Sequence, residues 1–381
     1  MDVLPDKEEL TIQAAIAEFL EGECSAALVR QAEQEPGRYS AELWREFADN
    51  GWLQLCLSRE NGGEELPLPY LSLLFDAVGY HIAPIPLHGT MVAALVLDRH
   101  GGPAHHALLQ KVIAGDAILS PAIVERDGGW SVDSVELLAH VEGDDLVLTG
   151  EKLFVGNFQA ASHCLVVYRE AGGAAGLLLV PTHAPAIEHE ELLPLAKDGE
   201  AIVRFRGVRV PRRNVIGTAE NSAAIIEQMM NLSAVLHACL MAGAARRTLD
   251  MAVEHAKQRE AFGQPIGAFQ AIQHMCANML NAIDGTTLLT REALWRMQEG
   301  LPADRQAAQA KSFANEQCLM VCRSAQQIHG GMGFMLEFDL NLWYRRVASW
   351  SLRSGTVSEH RRTIANGLLS ASSSVRIGSV A

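Results

Sequence analysis

The chain has 381 residues, with 31 Lys+Arg against 45 Asp+Glu for a formal charge of −14. So acidic a chain has no basic face to neutralise phosphates, which argues against a nucleic-acid binder. Hydrophobic residues at 49% and charged ones at 20% exclude a disordered chain, whose low apolar content could not offset chain entropy.

The start of the chain, Met1-Asp2-Val3-Leu4-Pro5-Asp6-Lys7-Glu8-Glu9, is not a basic region followed by an apolar one, so no secretory signal is expected. No apolar run approaches the ~20 residues of a membrane span. The 7 cysteines are scattered without a Cys-x-x-Cys pair, which points away from a disulfide framework and towards a reducing cytoplasm. Cys318 and Cys322, four apart on an expected helix with no His or Cys partners, are expected to be core thiols rather than metal ligands.

Residues 1–118 read as helices, with Ile12, Ile16, Phe19 and Leu20 at helical spacing and Leu43, Trp44 and Phe47 after them. Glu60-Asn61-Gly62-Gly63 and Ala83-Pro84-Ile85-Pro86 interrupt them. From 119 to 222 the period shifts towards two, with short runs at Leu146–Leu148, Cys164–Tyr168 and Leu177–Val180. Val203, Phe205, Val208 and Val210 alternate with Arg204, Arg206 and Arg209, whose default environment is solvent. From 223 to 381 helices return: Met230 to Val253, then Phe269 to Met297 and Ala307 to Gln327, with a break at Phe262-Gly263-Gln264-Pro265 and a Ser-rich end at 370–374 read as frayed. The expected class is α+β, in the order helices, sheet, helices.

Common catalytic signatures are missing. There is no Gly-x-Ser-x-Gly elbow and no Walker loop, and His189-Glu190-Glu191 lacks the second His of a zinc helix. Gly330-Gly331-Met332-Gly333 follows an expected helix rather than a strand, so it fails as a dinucleotide fingerprint.

The informative segments lie late in the chain: Arg259-Glu260-Ala261-Phe262-Gly263-Gln264-Pro265-Ile266, Phe269-Gln270, Gln327-Ile328-His329-Gly330-Gly331-Met332-Gly333-Phe334, Tyr344-Arg345 and Gly355-Thr356. Singly each could be a helix terminus. In this order and spacing they resemble the acyl-CoA dehydrogenase family, with weaker echoes at Trp44 to Trp52, Glu60-Asn61-Gly62-Gly63, Gly150-Glu151-Lys152, Asn157, Val208-Arg209-Val210-Pro211 and Gly217. The resemblance implies an N-terminal helical domain, a middle β-barrel-like domain and a C-terminal four-helix bundle. It also implies a dimer of dimers with FAD at subunit interfaces, an acyl-CoA substrate and electron-transferring flavoprotein as acceptor.

The chemistry of that family takes an α proton with a carboxylate while flavin takes the β hydride. Here the resemblance exposes departures. The usual Glu before Gly-Thr is Ser354, and the alternate seat on the first long C-terminal helix falls at Ser233. A serine hydroxyl is too weak a base unaided, no His is fixed beside Ser354 by sequence, and Glu359 is expected to point elsewhere. The family's Thr-Glu-Pro-x-x-Gly-Ser stretch aligns loosely with residues 123–129, and its Trp-Ile-Thr triplet is Phe154-Val155-Gly156. Phe154 can stack on a ring, but Gly156 brings no hydroxyl.

The residues that the resemblance lends across the interface to a neighbour's FAD are kept, Arg259, Gln270, Gln327 and Gly331, with Phe262, Gly330 and Thr356 as further cofactor-binding candidates. The resemblance therefore implies the partner subunit, without a catalytic base, of a heteromeric enzyme of the bacterial kind that oxidises steroid side-chain or dicarboxylic acyl-CoAs, a branch that Ala83-Pro84-Ile85-Pro86-Leu87 also resembles. The alternatives are a self-sufficient homomer with an unplaced base, a fold-related flavin monooxygenase, and a flavin-free scaffold.

Overall fold

A computed structural model of the chain describes residues 5–126, 129–170 and 173–369. The Ser-rich end, and Asp127 and Gly128 of the loosely aligned stretch, lie outside the described residues. The chain opens with helices α1 (Lys7–Glu23), α2 (Ala26–Ala32), α3 (Ala41–Asp49), α4 (Tyr70–His81), α5 (Leu87–His100) and α6 (His106–Ile113). Strands β1 (Leu119–Ala122), β2 (Leu138–Glu142), β3 (Asp145–Gly156), β4 (His163–Glu170), β5 (Ala175–Pro181), β6 (Ile187–Leu192), β7 (Glu200–Pro211) and β8 (Val215–Ile216) follow. The last part holds α7 (Ser222–Gln258), the short hairpin β9 (Glu260–Ala261) and β10 (Gln264–Pro265), then α8 (Gln270–Gln298), α9 (Asp304–His329), α10 (Leu340–Trp350) and α11 (Val357–Leu369).

Local signals set the helix starts. Asp6 and Glu9 cap α1 reciprocally, Glu9 N–H donating to Asp6 at 2.8 Å and Asp6 N–H to Glu9 at 3.0 Å. Ser40 caps α3 through the Leu43 amide.

The middle strands form one mixed sheet in the order β6-β7-β3-β2-β4-β5-β8, with β1 parallel to β4. Its apolar runs are continuous because the central strands are buried on both faces. Leu165 and Val167 of β4, with Leu177 and Leu179 of β5, join the helical core. Their alternates Cys164, Val166, Tyr168, Leu178 and Val180 pack with Val203, Phe205, Val208 and Val210 into a second core. A register shift opposite Gly207, whose φ of +78° suits glycine, resets the alternation between Phe205 and Val208. On the outer face Arg204 pairs with Glu151 at 2.8 Å and Glu190 at 2.9 Å, Arg206 with Glu188 at 2.7 Å, and Arg209 with Glu142. The arginines thus face solvent, ion-paired.

Helices α7, α8 and α9 pack together, with α10 and α11 against α9 and the N-terminal α4 along α7. α4 and α7 cross at backbone contact, so that a Cβ on Gly243 would stand 1.8 Å from the Asp76 carbonyl oxygen. One expectation needs correcting. α7 does carry an 18-residue stretch of mean hydropathy 1.3, long and apolar enough to cross a membrane, but 78% of that stretch is buried inside the protein. It is apolar all round because bundle, N-terminal helices and sheet surround it.

Candidate functional site

The turn between α10 and α11 carries Ser354 at φ +54° and Gly355 at φ +91°. A non-glycine residue there is strained, and the surroundings hold it in place. The His360 ring donates to the Ser354 carbonyl at 2.8 Å, Asn315 donates to that of Gly355 at 3.2 Å, and Lys311 donates to that of Trp350 at 2.9 Å while bonding Asn315. Burial pushes His360 down to about 4 and Lys311 down to about 7, so at neutral pH the His360 imidazole is neutral.

The pinned turn delivers the Ser354 hydroxyl to α7. Its Oγ lies 2.8 Å from Ser233 Oγ and 2.7 Å from His237 Nδ1, all three residues buried. The two positions at which the resemblance seats the family's base are therefore brought together, and both carry hydroxyls. The fold supplies the histidine that the sequence does not fix beside Ser354: Ser233 and His237 are one turn apart on α7 and share a face. His88 of α5 packs its ring 3.6 Å from that of His237 and donates from Nε2 to the Ser233 carbonyl at 3.0 Å. Glu359 is spent on the start of α11 and the facing loop, accepting from the amides of Thr356 and Trp130 at 2.7 Å each and from the Thr356 hydroxyl.

These groups line a cavity of about 570 Å³ enclosed by the N-terminal helices, the sheet and the bundle. Val78, Ile85, Leu240 and Trp350 make its apolar wall, and Trp130, Phe154 and Gly156 its sheet side. Phe154, at φ +54°, stays 55% exposed, which leaves its ring free to stack on a planar group. No atom lies within 4 Å of where a Cβ on Gly156 would stand.

A second cluster lines the cavity beside Ser354. Arg353 grips Asp198 with two bonds of 2.6 and 2.7 Å and reaches Glu200 at 2.7 Å, while Arg346 lies 3.4 Å from Asp198. Burial raises Asp198, but Arg353 and Arg346 outweigh it and hold the carboxyl down to about 2. Glu200 goes the other way, pushed up to about 7 by burial against Arg353, with the Asp198 charge adding to the push. An acid whose folded value exceeds its ordinary 4.5 contributes stability that is complete below that pH and lost as pH rises through about 7. Between pH 4.5 and 7 Glu200 therefore tilts the stability of the wild type downward, by at most ~1.4 kcal/mol per unit, against the upward tilt of the buried imidazoles of His88 and His360, whose folded values of about 4 lie below the ordinary 6.5. Thermal melts of Glu200→Gln should lose the downward part alone, so stability should rise more steeply with pH than in the wild type; an unchanged slope would show that Glu200 does not titrate in this interval.

The remaining sequence candidates gather at the other end of the long helices. The His255 and His329 rings stack at 4.5 Å, joining the last turn of α7 to that of α9, and Phe262 meets Phe269 edge-on at 6.1 Å where α8 begins. This brings Arg259, Phe262, Gln270, Gln327, Gly330 and Gly331 to one end of the bundle, all exposed, Phe262 by 95%. The Arg259 guanidinium has no hydrogen bond or carboxylate partner among the described residues. Nothing approaches the Cβ positions of Gly330 and Gly331 within 4 Å. An unpaired guanidinium beside bare backbone suits an anionic diphosphate. None of these six lines the cavity of its own chain, whereas Phe154, Gly156, Ser233, Ser354 and Thr356 do.

The acyl-CoA dehydrogenase N-terminal and C-terminal domain families match residues 6–116 and 223–369. A probable acyl-CoA dehydrogenase, YngJ of Bacillus subtilis, is 26% identical over 95% of this chain and 98% of its own length. The mitochondrial short-chain specific acyl-CoA dehydrogenase of Rattus norvegicus is 30% identical over 67% of this chain and 64% of its own. Among solved structures, a Tcur3481-Tcur3483 steroid ACAD variant superposes with a TM-score of 0.87 at 27% identity, covering 95% of this chain and 98% of that one. Butyryl-CoA dehydrogenase of Megasphaera elsdenii shares the fold, with a TM-score of 0.90 at 22% identity over 97% and 100%. With fold, matched domains and relatives in agreement, the chain belongs to the acyl-CoA dehydrogenase family of FAD-dependent oxidoreductases.

Proposed function

We propose that this chain serves acyl-CoA dehydrogenation as the lending partner of a heteromeric enzyme, completing with its bundle end the FAD site of a catalytic acyl-CoA dehydrogenase subunit. The observation that carries this reading is the split of its site residues: an exposed set around Arg259, whose guanidinium has no partner among the described residues, set against a cavity whose two base seats are Ser354 and Ser233. Bound FAD supplies the hydride acceptor of the reaction. Arg259 offsets pyrophosphate charge, and Gly330 and Gly331 let backbone amides approach. In the chain's own cavity Phe154 would stack on the ring, Gly156 offers it no hydroxyl, and the Thr356 hydroxyl is engaged by Glu359.

The likeness to the two-component Tcur3481-Tcur3483 steroid ACAD supports both the heteromer and a bulky, steroid-type acyl group. The ChsE4-ChsE5 complex of Mycobacterium tuberculosis, at 24% identity, adds the shared fold. Electron-transferring flavoprotein is the acceptor this reading takes. A second reading, a self-sufficient homomer or dimer of dimers, is favoured by one observation, the imidazole of His237 at the base seat.

The visible spectrum of the chain purified alone, then co-expressed with a neighbouring dehydrogenase-like gene, decides between them. Colourless protein that becomes yellow and active with the partner is the expected result. Yellow, active protein in a homomeric complex would overturn the heteromer.

A further inference from the structure

We propose that Ser354 and His237 form a proton relay that removes an α proton from an acyl thioester held in this chain's own cavity, so that the cavity enolises thioesters without any redox step. This rests on the reading that the chain serves acyl-CoA dehydrogenation, and goes beyond it by giving the chain's own cavity an acyl thioester and a chemistry of its own.

The geometry is that of a hydroxyl coupled to a base. Ser354 Oγ and His237 Nδ1 are 2.7 Å apart, within the range for proton transfer, and both residues line the cavity. If the Ser354 hydroxyl donates to Nδ1, the Ser233 hydroxyl donates to Ser354 Oγ at 2.8 Å, and both contacts are satisfied. The three carbonyl bonds that pin the turn fix where Ser354 Oγ can be. The carboxylates nearest to it in the cavity are engaged, Glu359 by amides and Asp198 and Glu200 by Arg353.

In the step, the Cα–H bond breaks and its electron pair passes into the thioester as an enolate. Ser354 Oγ takes the proton while its own hydroxyl proton passes to His237 Nδ1. Reversal returns a solvent-exchanged proton to the same carbon, so nothing is oxidised and nothing leaves. The electrostatics are self-consistent. Burial first, then His88, Lys311 and Arg353, push His237 well below the ordinary imidazole value, which keeps it neutral and able to accept.

The test uses the full-length chain and phenylacetyl-CoA, whose aryl group acidifies the α C–H. Binding is read by equilibrium dialysis and deuterium uptake from D2O by mass spectrometry, against a protein-free blank. The expected result is protein-dependent uptake that falls by about a hundredfold in Ser354→Ala and His237→Gln while binding persists, and that free imidazole restores in His237→Ala. That rescue separates a proton acceptor from a residue that only shapes the turn. Binding without uptake above the blank, or equal uptake in the variants, would overturn the relay. Absence of binding would overturn it too, and either result would leave the lending reading, which needs no thioester in this cavity and is tested by the flavin spectrum, intact. Release of free CoA with an acyl adduct on Ser354 would make the serine a nucleophile and overturn the relay.

Discussion

Replacing Arg259 with alanine should strip flavin from the assembled enzyme. The guanidinium stands exposed at the C-cap of α7, without a protein partner among the described residues, where the ends of α7 and α9 and the start of α8 meet. A charge-assisted bond from a guanidinium to phosphate contributes roughly 1.5–3 kcal/mol. Its loss should weaken FAD retention by about 10- to 150-fold, read as the flavin-to-protein absorbance ratio after desalting. Arg259→Lys should recover only part, because an ammonium lacks the planar fork. Since the guanidinium has no hydrogen-bond or carboxylate partner among the described residues, thermal stability of the flavin-free protein should hardly change. Full flavin retention in Arg259→Ala would mean that this end of the bundle holds no cofactor, and the lending reading would go with it.

Much of the architecture was legible because burial leaves a periodic trace. β4 and β5 read as unbroken apolar runs since one face of each joins the helical core and the other the sheet's own core. Composition alone reaches its limit at α7, where a helix buried over most of its surface is as apolar as a membrane span. Arg204, Arg206 and Arg209 were placed correctly on the outer face, although only the sheet register shows which glutamates meet them. The cavity floor was the least legible part. Ser354 and His237 are 117 positions apart in sequence, and no local pattern ties them together. A signal did exist, since placing Ser233 at the base seat also placed His237, four residues on, along the same helical face. The Arg353–Asp198–Glu200 cluster left no such trace, because each of its members reads singly as an ordinary surface charge.

Lys152→Met should be the most destabilising of these changes. The Lys152 ammonium is fully buried beside the Glu125 carboxylate and also donates to the Ile123 carbonyl at 3.1 Å. Glu125 in turn accepts from the amides of Glu136 at 2.8 Å and Leu137 at 2.9 Å, so the pair ties the segment after β1 and the approach to β2 onto β3. Methionine fills the stem's space but leaves a buried carboxylate without its cation, a loss that runs to about 3–5 kcal/mol. Urea denaturation should read that loss directly. The double variant Lys152→Met with Glu125→Gln removes the orphaned charge and keeps an acceptor for the two amides, so it should be more stable than Lys152→Met alone by at least ~1 kcal/mol. The damage should also reach the cavity, because the Leu153 amide donates to the Val124 carbonyl at 2.8 Å and Phe154 follows at the rim. If the single and double variants unfold at the same urea concentration, the pair carries no coupling, and the loop in front of Phe154 is held by its backbone bonds alone.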